Sequence, residues 1–180
     1  MLQHVHALVD QDDWWATTLV VEYERARGVV EKDGRPKGYS LCATKTIAAG
    51  PDVVCAAWLD AGVLARWFGA QAEVQAEVGG TIANADGDRG VFTRIRPGKD
   101  LRIQWQDPRH GPGTEVEVLF QAKGQGKTTV LVNHTRIQER RQADALRATW
   151  GAALDGLKLL LESGTSADAR PARQDRPRTK

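Results

Sequence analysis

The sequence lacks the features that mark membrane and secreted proteins. It has no apolar run near the roughly 18 residues that a bilayer crossing requires. Its first residues, MLQHVHALVDQDDWW, lack the basic region and apolar stretch of a signal peptide. The two cysteines, Cys42 and Cys55, fit neither a metal-binding nor a disulfide spacing. These absences predict a cytoplasmic protein with reduced thiols and no membrane span.

Catalytic signatures are missing as well. The chain contains no Gly-x-Ser-x-Gly motif, no Cys-His pair and no Walker loop. His4 and His6 lie close together but have no further ligands beside them, so neither a metal nor a cofactor is expected. The sequence therefore identifies no catalytic residue. It leaves enzymatic activity open and favours a role without one.

Excess charge of one sign is scarce except at the C-terminus. The chain has 25 Lys and Arg against 23 Asp and Glu, a net charge of +2. The last segment, SGTSADARPARQDRPRTK, is basic, contains proline and shows no apolar periodicity. We expect residues 163–180 to form a disordered basic tail. The near-neutral remainder argues against a nucleic-acid-binding face.

The N-terminal 37 residues predict a helix followed by a linker. Asp12 or Asp13 can cap the helix and Gly28 can end it. Apolar side chains recur at helical spacing, which predicts that the helix docks through one stripe: Trp15, Leu19, Tyr23 and Ala26. The turn-rich stretch EKDGRPKG then leads into the main domain, residues 38–162.

The main domain is predicted to be α+β. YSLCATKTI alternates as a strand, and the next segment holds two short helices broken at Asp60-Ala61-Gly62. Six short alternating runs joined by tight turns follow, which is typical of an antiparallel meander. The last segment carries a long apolar stripe of helical period that includes Leu146, Trp150 and Leu154. Since one face of the sheet must be covered, we expect this helix to lie across it.

With these elements in this order, the chain resembles the START-like (SRPBCC, helix-grip) superfamily, and within it the family of activator of heat-shock-protein-90 ATPase homologues. The resemblance is carried over residues 45–162 by KTIAAGPDVVCAAWLDAGVLARWFG, EVGGTIANADGDRGVFTRIRPGKDLRIQW, TEVEVLFQAKGQGKTTVLVNH and WGAALDGLKLLLE. Asp60-Ala61 departs from the usual Asp-Pro of the family. The segment WWATTLVVEYERARG looks like an extra helix found ahead of some bacterial members.

This resemblance implies a curved antiparallel sheet wrapped around the long C-terminal helix. It also implies a cavity between the two, where relatives of the superfamily bind lipids, polyketides or other apolar molecules. It supplies no reaction. We expect the cavity to be lined by aromatic residues and a few inward polar groups: Trp67, Phe68, Thr93, Trp105, Asp107, His134 and Trp150.

Strand parity supports part of that set. Leu101, Ile103 and Trp105 share one face of their strand, and His134 shares a face with Val130 and Val132. Thr93 is placed inward by the same logic, because it stands between Val91 and Ile95. Trp67-Phe68 also suits a hydrophobic plug that closes the end of the sheet.

Three functions remain open from the sequence. The favoured one is the binding of a small hydrophobic or aromatic molecule in this cavity. The second is a cyclase- or hydrolase-type enzyme that uses the same cavity, and the third is a chaperone-interacting protein. A small apolar ligand is the expected partner, and a homodimer is left open.

Overall fold

A computed structural model describes residues 13–32, 34–106 and 113–168. Its helices are α1 (Asp13–Ala26), α2 (Pro51–Leu59), α3 (Ala61–Leu64) and α4 (Arg140–Asp168). Its strands are β1 (Tyr39–Ile47), β2 (Glu73–Val74), β3 (Thr81–Ala83), β4 (Arg89–Arg96), β5 (Asp100–Trp105), β6 (Thr114–Ala122) and β7 (Thr128–Ile137). Among these residues, none of the helices has the length and apolarity needed to cross a membrane.

The strands form one antiparallel sheet in the order β1-β7-β6-β5-β4-β3-β2. Strands β2 to β7 follow one another as a meander, and β1 joins the far edge by pairing with β7. Strand β6 shows why the sequence folds this way: Val116, Val118 and Phe120 are buried while the residues between them are not. The predicted α+β architecture is confirmed.

Helix α4 covers the inner face of the sheet. Leu146, Trp150, Leu154 and Leu157 recur at helical spacing and are all buried. The helix continues to Asp168, so the first residues assigned to the predicted tail are helical. No proline follows until Pro171, so nothing in this stretch removes a helical hydrogen bond. The rest of the predicted tail lies outside the described residues.

The break between α2 and α3 falls at Asp60, as predicted. Asp60 has an extended backbone, and its Oδ1 accepts a hydrogen bond from the Val63 amide at 2.9 Å. This turn brings Trp58 at the end of α2 close to Trp67, which follows α3. The two short helices thus deliver large aromatic side chains to the open end of the sheet.

Helix α1 docks through a different face from the one predicted. Its buried residues are Ala16, Thr18 and Val21, whereas Trp15, Leu19 and Tyr23 are 44%, 45% and 48% exposed. Val21 belongs to the hydrophobic core, and polar contacts also hold the helix in this orientation. Arg25 Nη1 donates to the Gln138 carbonyl at 2.6 Å, and the Tyr39 hydroxyl donates to Glu22. The predicted docking face of α1, with Trp15, Leu19 and Tyr23, is therefore the wrong one.

This orientation reverses the expected effect of two substitutions. Leu19→Asp should change the free energy of unfolding by no more than about 0.5 kcal/mol, because the side chain is already half in solvent. Val21→Asp should lower it by about 2–4 kcal/mol, because it places a carboxylate in the buried contact with the domain. Urea unfolding of the two variants measures both. An equal loss in both would mean that the helix docks through both faces.

The outer face of the sheet carries a network of ion pairs. Asp100 is buried and accepts from Arg94 Nε at 2.6 Å and from Arg96. Glu117 Oε1 accepts from Arg94 at 2.7 Å and from Arg102 at 2.9 Å. Burial alone would raise the pKa of Asp100, but the hydrogen bonds from Arg96 and Arg94 outweigh it and hold the pKa below its ordinary value.

Asp100 should therefore contribute stability that depends on pH. Since its pKa is lower in the folded chain, the contribution is complete above the unfolded value of about 3.9 and is lost as the pH falls through the folded value. Asp100→Asn should cost about 1–3 kcal/mol at pH 7 and progressively less as the pH falls below the unfolded value of about 3.9. Unfolding curves across this range give the test. Asp155→Asn, an exposed ion-pair carboxylate, should have little effect throughout.

Candidate ligand site between the sheet and the C-terminal helix

An aromatic cluster fills the space between the sheet and α4. Trp58 stacks on Trp150 with ring centroids 6.0 Å apart and meets Trp67 edge-on at 4.7 Å. Phe68 lies 6.2 Å from Trp105, and Trp105 lies 5.6 Å from Trp150. Rings from α2, from the segment that follows α3, from a central strand and from the long helix therefore meet at one point.

One hydrogen bond joins this cluster to β7. Trp150 Nε1 donates to Nδ1 of His134 at 3.2 Å, and both side chains are buried. Because Nδ1 accepts, the neutral imidazole carries its proton on Nε2. The Nδ1 lone pair is engaged in holding α4 against the sheet, so it is not available as a general base.

A small cavity remains beside the rings. Its volume is about 20 Å³, which is room for about one water molecule. Most of its walls are apolar, with one carboxylate and one hydroxyl at the margin: Phe68, Asp88, Trp105, Leu146, Thr149, Trp150 and Ala153. This small, nearly closed void lies between the sheet and α4, where the resemblance implied a ligand cavity.

Trp105 is positioned by the strands on both sides of it. It faces Gly90 on β4 and Thr114 on β6. A Cβ atom at Gly90 would clash with Cγ2 of Ile103 and lie 3.1 Å from the Gln104 carbonyl oxygen, so a larger residue there would disturb β5 next to Trp105. Within the described structure, Trp105 Nε1 is buried and has no hydrogen-bond acceptor.

The structure brings five of the seven predicted site residues together: Trp67, Phe68, Trp105, His134 and Trp150. Trp67 does not line the cavity itself. It is buried, and its Nε1 donates to the Ala57 carbonyl at 3.0 Å. This geometry fits a plug, whereas half-buried Phe68 stands at the cavity.

The placement of Thr93 was wrong. Thr93 is exposed, and its hydroxyl donates to the Arg102 carbonyl at 3.2 Å. A register shift lies between Phe92 and Arg94, and Phe92 occupies the inward position opposite Ile103. A β-bulge adds one residue to the strand. Residues on its two sides that are an even number of positions apart therefore no longer point to the same face of the sheet. Asp107, the seventh residue, lies outside the described residues, as do His4 and His6.

Sequence reasoning missed several neighbours of the site. Trp58 is fully buried at the centre of the cluster, and its position on one short helix gave no sign of which face turns inward. Asp88 reaches the cavity because the β3–β4 hairpin folds beside Phe68, where Asn84 donates to the Phe68 carbonyl at 3.1 Å. Spacing along the chain carries no signal of that contact.

A larger hollow lies on the outer face of the sheet. This groove of about 540 Å³ runs between α1 and the paired residues Cys42, Asn133 and Glu117. Its walls mix polar side chains with apolar surface, including that of Trp14, and the groove is open to solvent. It does not enclose a ligand as small-molecule sites typically do, so the smaller inner cavity is the stronger candidate.

The chain matches one known protein family. The profile described as Activator of Hsp90 ATPase homolog 1-like protein matches residues 48–162, more than half of the chain. The chain belongs to this family. The match begins after β1, so α1 lies outside it. No curated protein sequence matches the chain.

Solved structures share the fold of this family member. CalU16 from Micromonospora echinospora is 22% identical, with a TM-score of 0.61 over 72% of this chain and 80% of that one. The Aha1 dimer from Colwellia psychrerythraea is 24% identical, with a TM-score of 0.62 over 69% and 97%. PFC0360w, an HSP90 activator from Plasmodium falciparum, is 22% identical, with a TM-score of 0.61 over 68% and 96%. The predicted helix-grip fold is confirmed.

Proposed function

We propose that this family member binds a small aromatic molecule between the sheet and α4. The observation that carries the proposal is the cavity bounded by the rings of Phe68, Trp105 and Trp150. Such walls favour a flat apolar ligand, because rings gain edge and face contacts beyond simple area burial. The buried N–H of Trp105 supports the site further, since a donor without an acceptor is rare inside a folded protein.

Binding requires the cavity to open. A dry cavity that accepts benzene is about 150 Å³, far more than the 20 Å³ found here. Phe68 is the residue suited to move: it is only partly buried, and it follows a short helix rather than standing in a strand. When its ring swings out, the ligand takes its place between Trp105 and Trp150. Moving the Phe68 ring out of the cavity costs free energy, and this cost weakens the binding of the ligand.

Two matched variants test this proposal. Toluene is titrated up to its solubility in water, and the indole N–H resonances of Trp105 and Trp150 are followed by NMR. Wild type should bind weakly. Phe68→Leu should bind about three- to tenfold more tightly, because the smaller side chain vacates the site at less cost. Phe120→Leu shortens a buried ring outside the cavity lining and should leave the affinity unchanged.

Two results would contradict the proposal. One is the absence of shifts at Trp105 and Trp150 in both wild type and Phe68→Leu. The other is an equal gain in Phe120→Leu, which would show that any added void binds toluene. A catalytic role in the same cavity gains no support from His134, since its Nδ1 atom accepts from Trp150.

The small volume of the cavity favours interaction with a chaperone as the second candidate. A domain whose interior is nearly filled has little room for a ligand, so its interactions are expected at the surface. The family description and the Plasmodium falciparum relative both refer to Hsp90 activation. The direct test is the ATPase rate of purified Hsp90 with and without the chain. A rate that does not change at saturating protein would exclude this role for that Hsp90.

A further inference from the structure

Helix α1 presents three large hydrophobic side chains to solvent. Trp15, Leu19 and Tyr23 are each almost half exposed, and spacings of four residues place them along one face over two turns. We call these three residues the α1 stripe. Exposed single apolar residues are ordinary, but a continuous line of two aromatic rings and a leucine on one helix indicates a contact surface.

The stripe is flanked by two arginines. The Arg140 guanidinium lies 4.3 Å from the centre of the Trp15 ring, and that of Arg27 lies 5.6 Å from the centre of the Tyr23 ring. Arg27 also donates to the Tyr23 hydroxyl at 3.3 Å. Neither guanidinium forms an ion pair within the described part of the chain. Glu22, the acidic residue beside the stripe, accepts from the Tyr39 hydroxyl instead.

The geometry points to a docking surface for an acidic amphipathic helix of a partner protein. Tryptophan, tyrosine and arginine are the residue types that dominate binding energy at protein interfaces. A line of apolar side chains two turns long matches the anchors that a helix offers at every third or fourth position. Carboxylates flanking those anchors would pair with Arg27 and Arg140. This surface is independent of the proposed ligand site.

A second copy of this chain fits the surface less well. A symmetric contact centred on Leu19 would place Trp15 of one copy against Tyr23 of the other. Arg140 stacks on Trp15 and Arg27 stacks on Tyr23. Each Arg140 would therefore lie beside Arg27 of the other copy, once on each side of the two-fold axis. Like charges brought together at an interface are unfavourable. Charge complementarity therefore selects an acidic partner over self-association.

Two synthetic peptides test the partner chemistry with the full chain. Both are 18-residue amphipathic helices with the same leucine face. Glutamates flank that face in one peptide and lysines in the other. By fluorescence anisotropy at low salt, the glutamate peptide should bind about tenfold more tightly, a preference that falls as salt is added. Arg27→Gln with Arg140→Gln should remove most of the preference.

A matched pair of variants locates the contact. Leu19→Asp should reduce binding of the glutamate peptide at least tenfold, since it places a charge in the middle of the stripe. Leu159→Asp makes the same change at an exposed leucine of α4 and should have no effect.

Any of four results would overturn the inference. They are no binding of either peptide, equal binding of both, an equal loss in Leu159→Asp, or a homodimer in analytical ultracentrifugation that Leu19→Asp dissociates. The comparison of the two peptides uses wild type, so it stands even if Leu19→Asp perturbs folding.

Discussion

Replacing Trp150 with alanine should lower the free energy of unfolding by about 3–5 kcal/mol. Its ring is the centre of the aromatic cluster, in contact with Trp58, Trp105 and Phe68. Removing it leaves a void between α4 and the sheet, and it also leaves Nδ1 of His134 without its donor. For a chain of this size the melting temperature should fall by roughly 10 °C. Urea and thermal unfolding followed by circular dichroism measure both quantities.

Trp150→Phe separates the two contributions. Phenylalanine keeps most of the ring contacts but cannot donate to His134, so its loss of stability should be clearly smaller than that of Trp150→Ala. A loss below about 1 kcal/mol in Trp150→Ala would contradict the view that this cluster is the core of the domain.

Trp67→Ala should have an effect of similar size, about 3–5 kcal/mol, for a different reason. Trp67 closes the end of the sheet: its ring meets Trp58, and its Nε1 donates to the Ala57 carbonyl. The variant would leave both a void and an unpaired buried carbonyl. Denaturant unfolding gives the loss directly.

The control is Trp67→Phe, which fills much of the void but leaves the Ala57 carbonyl unpaired. It should fall between wild type and alanine. If Trp67→Ala unfolds like wild type, then the aromatic pair Trp67-Phe68 is not a plug, and the end of the sheet is closed by other contacts.

Much of the candidate site was predictable because period-2 alternation in strands is a local property. Leu101, Ile103 and Trp105 alternate with polar residues, and so do Val130, Val132 and His134. Their inward faces follow from the sequence and are confirmed by burial. The same reasoning failed at Thr93, because a bulge between Phe92 and Arg94 shifts the alternation and depends on pairing with β5.

The sequence by itself determined the elements of this protein: the strands, the break at Asp60, the long C-terminal helix and the family to which they belong. These follow from periodicity, turn residues and capping, which act over a few residues. Only the tertiary structure decided how full the interior is and which face of α1 docks. Cavity volume depends on how rings from four separate elements pack together. The docked face of α1 depends on the burial of Val21 and on hydrogen bonds from Arg25 to Gln138 and from Tyr39 to Glu22, whose partners lie 113 and 17 residues apart along the chain.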